Sequence, residues 1–358
     1  MGIDVLFLQE KGQKAGQAVT VAKALADFIR AAKHSVHIAA YHFCLQDPRL
    51  VKLVQDALQD RTDAGVEIRI GYYFEHKFDP RASGGVTTPS GTEAFLGTIT
   101  GGTDIEIKPI RGSHLMHNKY VVRDGHTDNA AVWTGSTNFT DGAWKFMENN
   151  IALVESPTLC AFYENDFSEL WSNGDINGSG AGALDSGSAN VDGTQVEVEF
   201  APGKGKYIDQ IITEEISGAR QRIKISSMVL SSATILGALA DAVKHKQVPD
   251  FGGIYDGPET LGALKQATGG TPELFKVISG KMVKKASRRY NPKQPDADYN
   301  YMHNKIAVCD DVVVTGSFNF SRSATMNAEN VLRIRSKEWA DKFSRYIDQL
   351  VKLYGRGQ

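Results

Sequence analysis

The sequence predicts an α/β protein built from two similar lobes, and three observations carry that prediction. The chain has 358 residues, more than the roughly 250–300 over which one hydrophobic core keeps growing. Segments with helical and strand periodicity alternate along it. Several short motifs are written twice, in the same order, in the two halves. Packing two such halves about a pseudo-twofold axis places matched residues together at the lobe interface.

The elements follow in order. Residues 22–33 carry apolar positions at helical spacing, and residues 36–43 follow as a strand. Val66, Ile68 and Ile70 alternate with Glu67 and Arg69, which is strand patterning. The same helix–strand order returns at 208–219 and 223–230. Between the halves, 176–193 is rich in Gly and Ser and poor in large apolar groups, so it reads as a flexible linker or surface loop. The predicted organisation is one lobe over 1–175, the linker over 176–193, and a second lobe over 194–358.

Composition excludes several classes. Hydrophobic residues make up 41% and charged residues 23%, with a net charge of −2, which is ordinary for a globular chain and not for a disordered one. No apolar run approaches the roughly 18 residues of a membrane-spanning helix. The first ten residues lack a basic segment ahead of an apolar one, so no signal peptide is expected and the expected location is cytoplasmic. Cys44, Cys160 and Cys309 lie far apart and read as buried, reduced thiols. Charge is uneven: residues 1–193 hold 16 Lys+Arg against 24 Asp+Glu, whereas 194–358 hold 24 against 18. A basic second half is where an anionic partner is expected.

The repeated blocks carry the chemistry. Met116-His117-Asn118-Lys119 returns as Met302-His303-Asn304-Lys305, and both copies reach an acid at Asp124 and Asp310. Thr134-Gly135-Ser136-Thr137-Asn138-Phe139 returns as Thr315-Gly316-Ser317-Phe318-Asn319-Phe320. Glu148-Asn149 returns as Glu329-Asn330. His and Lys two apart on a strand share a face, so each half presents an imidazole beside an ammonium. Two His, two Lys and two Asn fit the five-coordinate phosphorus of a phosphodiester under attack. His117 is expected to attack and His303 to protonate the leaving oxygen. Glu148 and Glu329 are expected to hold the imidazole Nδ1–H groups. Ser136 and Ser317 contact phosphate or cap the backbone, and Asp124 and Asp310 are expected to be structural. No cofactor is called for. Nor is a metal, because no carboxylate or third His stands at ligand spacing from His114 and His117. Tyr41 and Phe43 face either the pocket or the core, with the core favoured.

H-x-K-x4-D twice, at His117-Lys119-Asp124 and His303-Lys305-Asp310, resembles the phospholipase D superfamily over most of the chain. The resemblance implies two α/β/α lobes with the active site between them, and catalysis through a phosphohistidine. It implies that His117 and His303 serve as nucleophile and acid/base, with Lys119, Lys305, Asn138 and Asn319 on the phosphate. The Asp in both motifs is unlike tyrosyl-DNA phosphodiesterases, and Gly-Ser in both copies looks like the small bacterial nuclease branch. One chain carries both motifs, so a monomer is expected.

Residues 281–293 hold six basic residues and no acid. Lys284, Lys285, Arg288 and Arg289 are expected at the cleft rim as a track for a polyanion, with Tyr290 available to stack on a base. No compelling amphipathic apolar face accompanies them. The expected substrate is therefore a nucleic-acid phosphodiester. The alternative is a glycerophospholipid, with transphosphatidylation as a possible second activity.

Overall fold

The computed structural model describes residues 2–12, 15–74, 91–267, 269–291 and 299–355. In the first half, seven strands form one mixed sheet: β1 (Ile3–Leu8), β2 (Ser35–Ala40), β3 (Glu67–Tyr73), β4 (Glu106–Ile110), β5 (Lys119–Arg123), β6 (Ala131–Gly135) and β7 (Asn149–Val154). Their order across the sheet is β1-β7-β6-β5-β2-β3-β4. The second half has β8 (Gly187–Val191), β9 (Thr194–Ala201), β10 (Arg222–Ser227), β11 (Asp250–Asp256), β12 (Met282–Lys285), β13 (Lys305–Cys309), β14 (Val312–Gly316) and β15 (Glu329–Arg335). Their order is β8-β9-β15-β14-β13-β10-β11-β12. Apart from the added edge strand β8, the two sheets have the same topology, so the fold is two α/β/α lobes related by pseudo-twofold symmetry.

Both faces of each sheet are covered, which is why the central strands β5, β6 and β13 are buried along their whole length. Helices α1 (Gln17–Arg30), α2 (Pro48–Asp63) and α3 (Thr92–Thr100) cover the outer face of the first sheet, around Leu25, Val54, Leu96 and Trp133. A short helix, α4 (Asp141–Lys145), contributes Trp144 to the same core. Helix α5 (Pro157–Asn173) lies on the inner face. In the second lobe, α6 (Gly205–Gly218), α7 (Ala233–Asp241), α8 (Gly257–Gln266) and α9 (Thr271–Ser279) lie outside, and α10 (Lys337–Tyr354) lies inside. One continuous apolar cluster joins Tyr120, Val122 and Phe167 of the first lobe to Phe200, Val308, Leu332 and Phe343 of the second. The lobes therefore share a core. Among the described residues no helix is long and apolar enough to cross a membrane.

The sequence places the first helix over 22–33 and the structure places it over Gln17–Arg30. The chain leaves the helix early because the backbone N–H groups of Lys33, His34 and Ser35 all donate to the Asp124 carboxylate, at 2.7–3.1 Å. Asp310 accepts from Arg220, Gln221 and Arg222 in the same way, at 2.8–2.9 Å. The two motif acids thus anchor the turn before β2 and the turn before β10.

The segment 176–193 is not the expected flexible linker. Ile176, Ser179 and Asp185 are buried, and residues 187–191 form β8, paired antiparallel with β9. Ser179 Oγ donates to Asp166 and to the Ala201 carbonyl. The glycine content serves close approach: a Cβ on Gly180 would lie 2.1 Å from the Phe200 carbonyl oxygen. Of the thiols, Cys160 and Cys309 are buried and Cys44 is half-buried; all three are free. Burial is the leading cause that pushes each of them up.

Candidate active site

The site forms where β5 and β13 begin. Gly135 and Gly316 end β6 and β14 with φ of +148° and +147°. A Cβ at either would lie 2.2 Å from the carbonyl oxygen of Asn150 or Asn330, so only glycine lets these backbones meet. Across the interface, His117 N donates to the Ala328 carbonyl at 2.8 Å, and His303 N donates to the Glu148 carbonyl at 3.0 Å. Each His-bearing strand is therefore held by the other lobe.

The side chains cross over as well. His117 Nδ1 donates to Glu329 Oε2 at 2.7 Å. His303 Nδ1 donates to Asn149 Oδ1 at 2.9 Å. Ser317 hydrogen-bonds Glu329, and Ser136 Oγ donates to Asn149 Oδ1 at 2.8 Å. The hydroxyls thus bear on the groups that orient the imidazoles. They also accept from the backbone N–H of Asn330 and Asn150, each at 3.0 Å.

Lys119 and Lys305 are each 1% exposed, and each Nζ donates to the carbonyl of its own motif histidine at 2.6 Å. Their neighbours differ. Lys119 Nζ stands 4.8 Å from the ring centre of Tyr41, which also packs edge-on against His117 at 4.8 Å. Lys305 Nζ stands 3.8 Å from Met228 Sδ. Tyr41 therefore belongs to the site, whereas Phe43 is fully buried in the first lobe's core. Asn138 and Asn319 follow the glycine turns, and the Oδ1 of each is buried without a hydrogen-bond partner among the described residues.

Electrostatics follow from burial. Desolvation, then the ammonium groups of Lys119 and Lys305, hold His117 well below the usual imidazole range. Desolvation, then Lys305, Lys119 and His117, do the same to His303. Desolvation presses Lys119 well down and Lys305 down to about 7. It pushes Glu329 up to about 7. An anion beside these groups would favour the protonated forms of both imidazoles and both amines.

Two expectations need correction. Glu148 is not an imidazole partner, and Lys285 is not on the rim. Lys285 is 2% exposed and pairs with Glu148, itself fully buried, and with Glu10 at 3.1 Å. The Tyr354 hydroxyl donates to Glu148 as well. The cause is register. Gly135 lies opposite Ile151, but Gly316 lies opposite Val331. The first lobe therefore has one more residue between turn and strand, taken up in α4 where the second lobe has a 3₁₀ turn over Ser323–Met326. Asn149 then matches Glu329, and Glu148 matches Ala328. Asn149 was missed because the two Glu-Asn pairs look equivalent in sequence.

Of the remaining basic segment, Arg289 Nε pairs with Glu259 at 2.6 Å and Arg288 lies 4.0 Å from Glu10. Lys284 and Arg288 are exposed. Lys293 lies outside the described residues. Tyr290 packs edge-on against Tyr299 at 5.5 Å. Among the described residues, no three His, Cys, Asp or Glu side chains converge as a metal-holding group.

Comparison with known proteins agrees with this geometry. Residues 25–171 and 212–351 match the family described as cardiolipin synthase, PLD-like domain. No curated protein sequence matches. Phosphatidylserine synthase from Haemophilus influenzae Rd KW20 is similar at a TM-score of 0.62 and 14% identity, over 97% of this chain and 87% of that one. Polyphosphate kinase from Porphyromonas gingivalis is similar at 0.57 and 10%, over 97% of this chain and 50% of that one. NucT from Helicobacter pylori matches at 19% identity over 44% of this chain and 96% of its own, with a TM-score of 0.36. The two whole-chain likenesses show a shared fold. Both motif sets fall inside the matched residues, and the chain belongs to the phospholipase D-like family of phosphodiesterase-type enzymes.

Proposed function

We propose that this protein hydrolyses phosphodiesters through a phosphohistidine on His117, without a metal, and that its substrate is a nucleic acid. The observation that carries the mechanism is the unequal pair of imidazole partners. A carboxylate on Nδ1 stabilises the positive charge that His117 acquires when its Nε2 bonds to phosphorus. An amide on Nδ1 orients His303 without adding charge, which suits a group that must give up its proton. In the first step His117 Nε2 forms the P–N bond, the P–O bond to the leaving group breaks, and His303 supplies the proton to that oxygen. In the second step His303 takes a proton from water, whose oxygen attacks phosphorus and releases His117. Lys119, Lys305, Asn138 and Asn319 hold the phosphoryl oxygens, and the bound anion offsets the charges that keep His303 deprotonated in the free enzyme.

Support for nucleic acid is the basic second half and the exposed Lys284 and Arg288 beside the second motif. A glycerophospholipid is the second reading, favoured by the exposed Tyr207, Leu261 and Met326 of the second lobe. The test is a parallel assay of single-stranded DNA, duplex DNA, RNA and phosphatidylcholine vesicles in EDTA. Cleavage of a nucleic acid in EDTA is expected. Activity only on vesicles, or only after one specific metal is restored, would overturn the reading.

A further inference from the structure

The pseudo-twofold axis allows the lobes to be compared position by position, and they differ beside the catalytic strands. Phe43 pairs with Phe139 in the first lobe as Leu230 pairs with Phe320 in the second. Gln17, at the start of α1, donates to the Trp144 carbonyl at 2.8 Å. Gly205, at the start of α6, packs so tightly on the Thr325 carbonyl that a Cβ would lie 2.0 Å from it. Trp144 and Thr325 are therefore equivalent. Trp144 is fully buried in its lobe's core, whereas Thr325 lines an open trough of about 930 Å³.

That volume lies within the roughly 300–1,000 Å³ of small-molecule pockets. Lys206, Val229, Ser231, Ala263 and Arg322 also line it. Val229 follows Met228, which touches the Lys305 ammonium, and Arg322 lies three residues after Asn319. Two of the chain segments that line the trough thus adjoin residues of the phosphate pocket. Neither Lys206 nor Arg322 has a carboxylate partner among the described residues, and both are exposed. The one lining carboxylate, Asp209, accepts from Ser232 Oγ at 2.7 Å and from Thr234. Two free cations above hydroxyls and small apolar side chains suit a phosphate, a sugar and a base edge.

We propose that this trough is a subsite for nucleotides beyond the two joined by the scissile phosphodiester, so that the enzyme prefers a strand to a dinucleotide. This rests on the nucleic-acid reading above. Its footprint is one-sided, because Trp144 closes the equivalent space in the first lobe.

The test compares bis(p-nitrophenyl) phosphate, a dinucleotide and a single-stranded octanucleotide on three proteins: wild type, Thr325→Trp, and Lys206→Ala with Arg322→Ala. Each trough variant should raise KM for the octanucleotide about tenfold, the worth of one charge-assisted hydrogen bond. Rates on the small diester and the dinucleotide should stay within about twofold, since these do not reach the trough. Thermal melts verify folding, and the alanine pair keeps the test valid if the tryptophan is not accommodated. An unchanged octanucleotide KM in the folded variants overturns the trough alone. A wild type that cleaves the small diester but no oligonucleotide overturns the nucleic-acid reading. Loss of phosphatidylglycerol vesicle cleavage in the same variants would assign the trough to a lipid and overturn the nucleotide assignment.

Discussion

Replacing Glu329 with Gln tests the assignment of roles to the two histidines. Glu329 Oε2 lies 2.7 Å from His117 Nδ1, and the glutamate is wholly buried. Gln keeps the shape and an acceptor oxygen but removes the charge that supports the phosphohistidine. Losing such an orienting partner lowers rate by about 10–100-fold. The pH profile is the sharper measure. Glu329 must be ionised to act and titrates at about 7 in the free enzyme. At pH 6 only about a tenth is carboxylate, and at pH 8 about nine-tenths. Lys305 must be protonated and also titrates at about 7, so its charge is lost over the same interval as pH rises. Wild-type kcat/KM is therefore expected to fall on the acid side as Glu329 takes up a proton, and on the alkaline side as His303, Lys119 and Lys305 lose theirs. Glu329→Gln removes the acidic limb and leaves the alkaline fall. The assay is the burst of p-nitrophenolate from bis(p-nitrophenyl) phosphate, with the phosphoenzyme quenched in base and mapped by mass spectrometry. A phosphoryl group on His303, or an acidic limb that survives in Glu329→Gln, would refute the assignment.

Three other outcomes follow. Lys285→Met leaves Glu148 buried without its cation and should cost about 3–5 kcal/mol in urea unfolding; adding Glu148→Gln should recover part of that loss, and strictly additive costs would show the pair is uncoupled. Asp124→Ala or Asp310→Ala removes the acceptor of three backbone N–H groups, a loss of about 2–3 kcal/mol. Both carboxyls are held below the usual range by those donors, so their stabilisation is present above about pH 4 and is lost as pH falls through the lowered value. Alanine variants with wild-type acid melts would contradict this. With Lys285 buried and Arg289 paired, Lys284→Ser with Arg288→Ser should flatten the salt slope of single-strand binding by about 1.4, at about 0.7 per phosphate contact. A slope equal to wild type would remove these two cations from the interface.

The sequence determined the repeat, and with it much else. Two copies of H-x-K followed by G-S-x-N place the same groups on the same strand ends in each half, because strand alternation is local. The two lobes, their common topology and the meeting of His117, Lys119 and Asn138 with their counterparts all follow from that. The motif acids Asp124 and Asp310 read as structural from the sequence, but the turns they anchor, 88–91 residues earlier in the chain, are seen only in the structure. Tertiary structure decided what lies across the interface. Glu329 meets His117 and Asn149 meets His303 over separations of 212 and 154 residues, and one extra residue in α4 selects Asn149 over Glu148. Lys285 reads as part of a basic run, but its ammonium is turned inward to a carboxylate 137 residues away. Glycines of 176–193 read as freedom, yet Gly180 is there because Phe200 leaves no room for a side chain. In each case the deciding partner is distant in sequence, and local pattern carries no information about which buried group will neutralise a charge or fill a space.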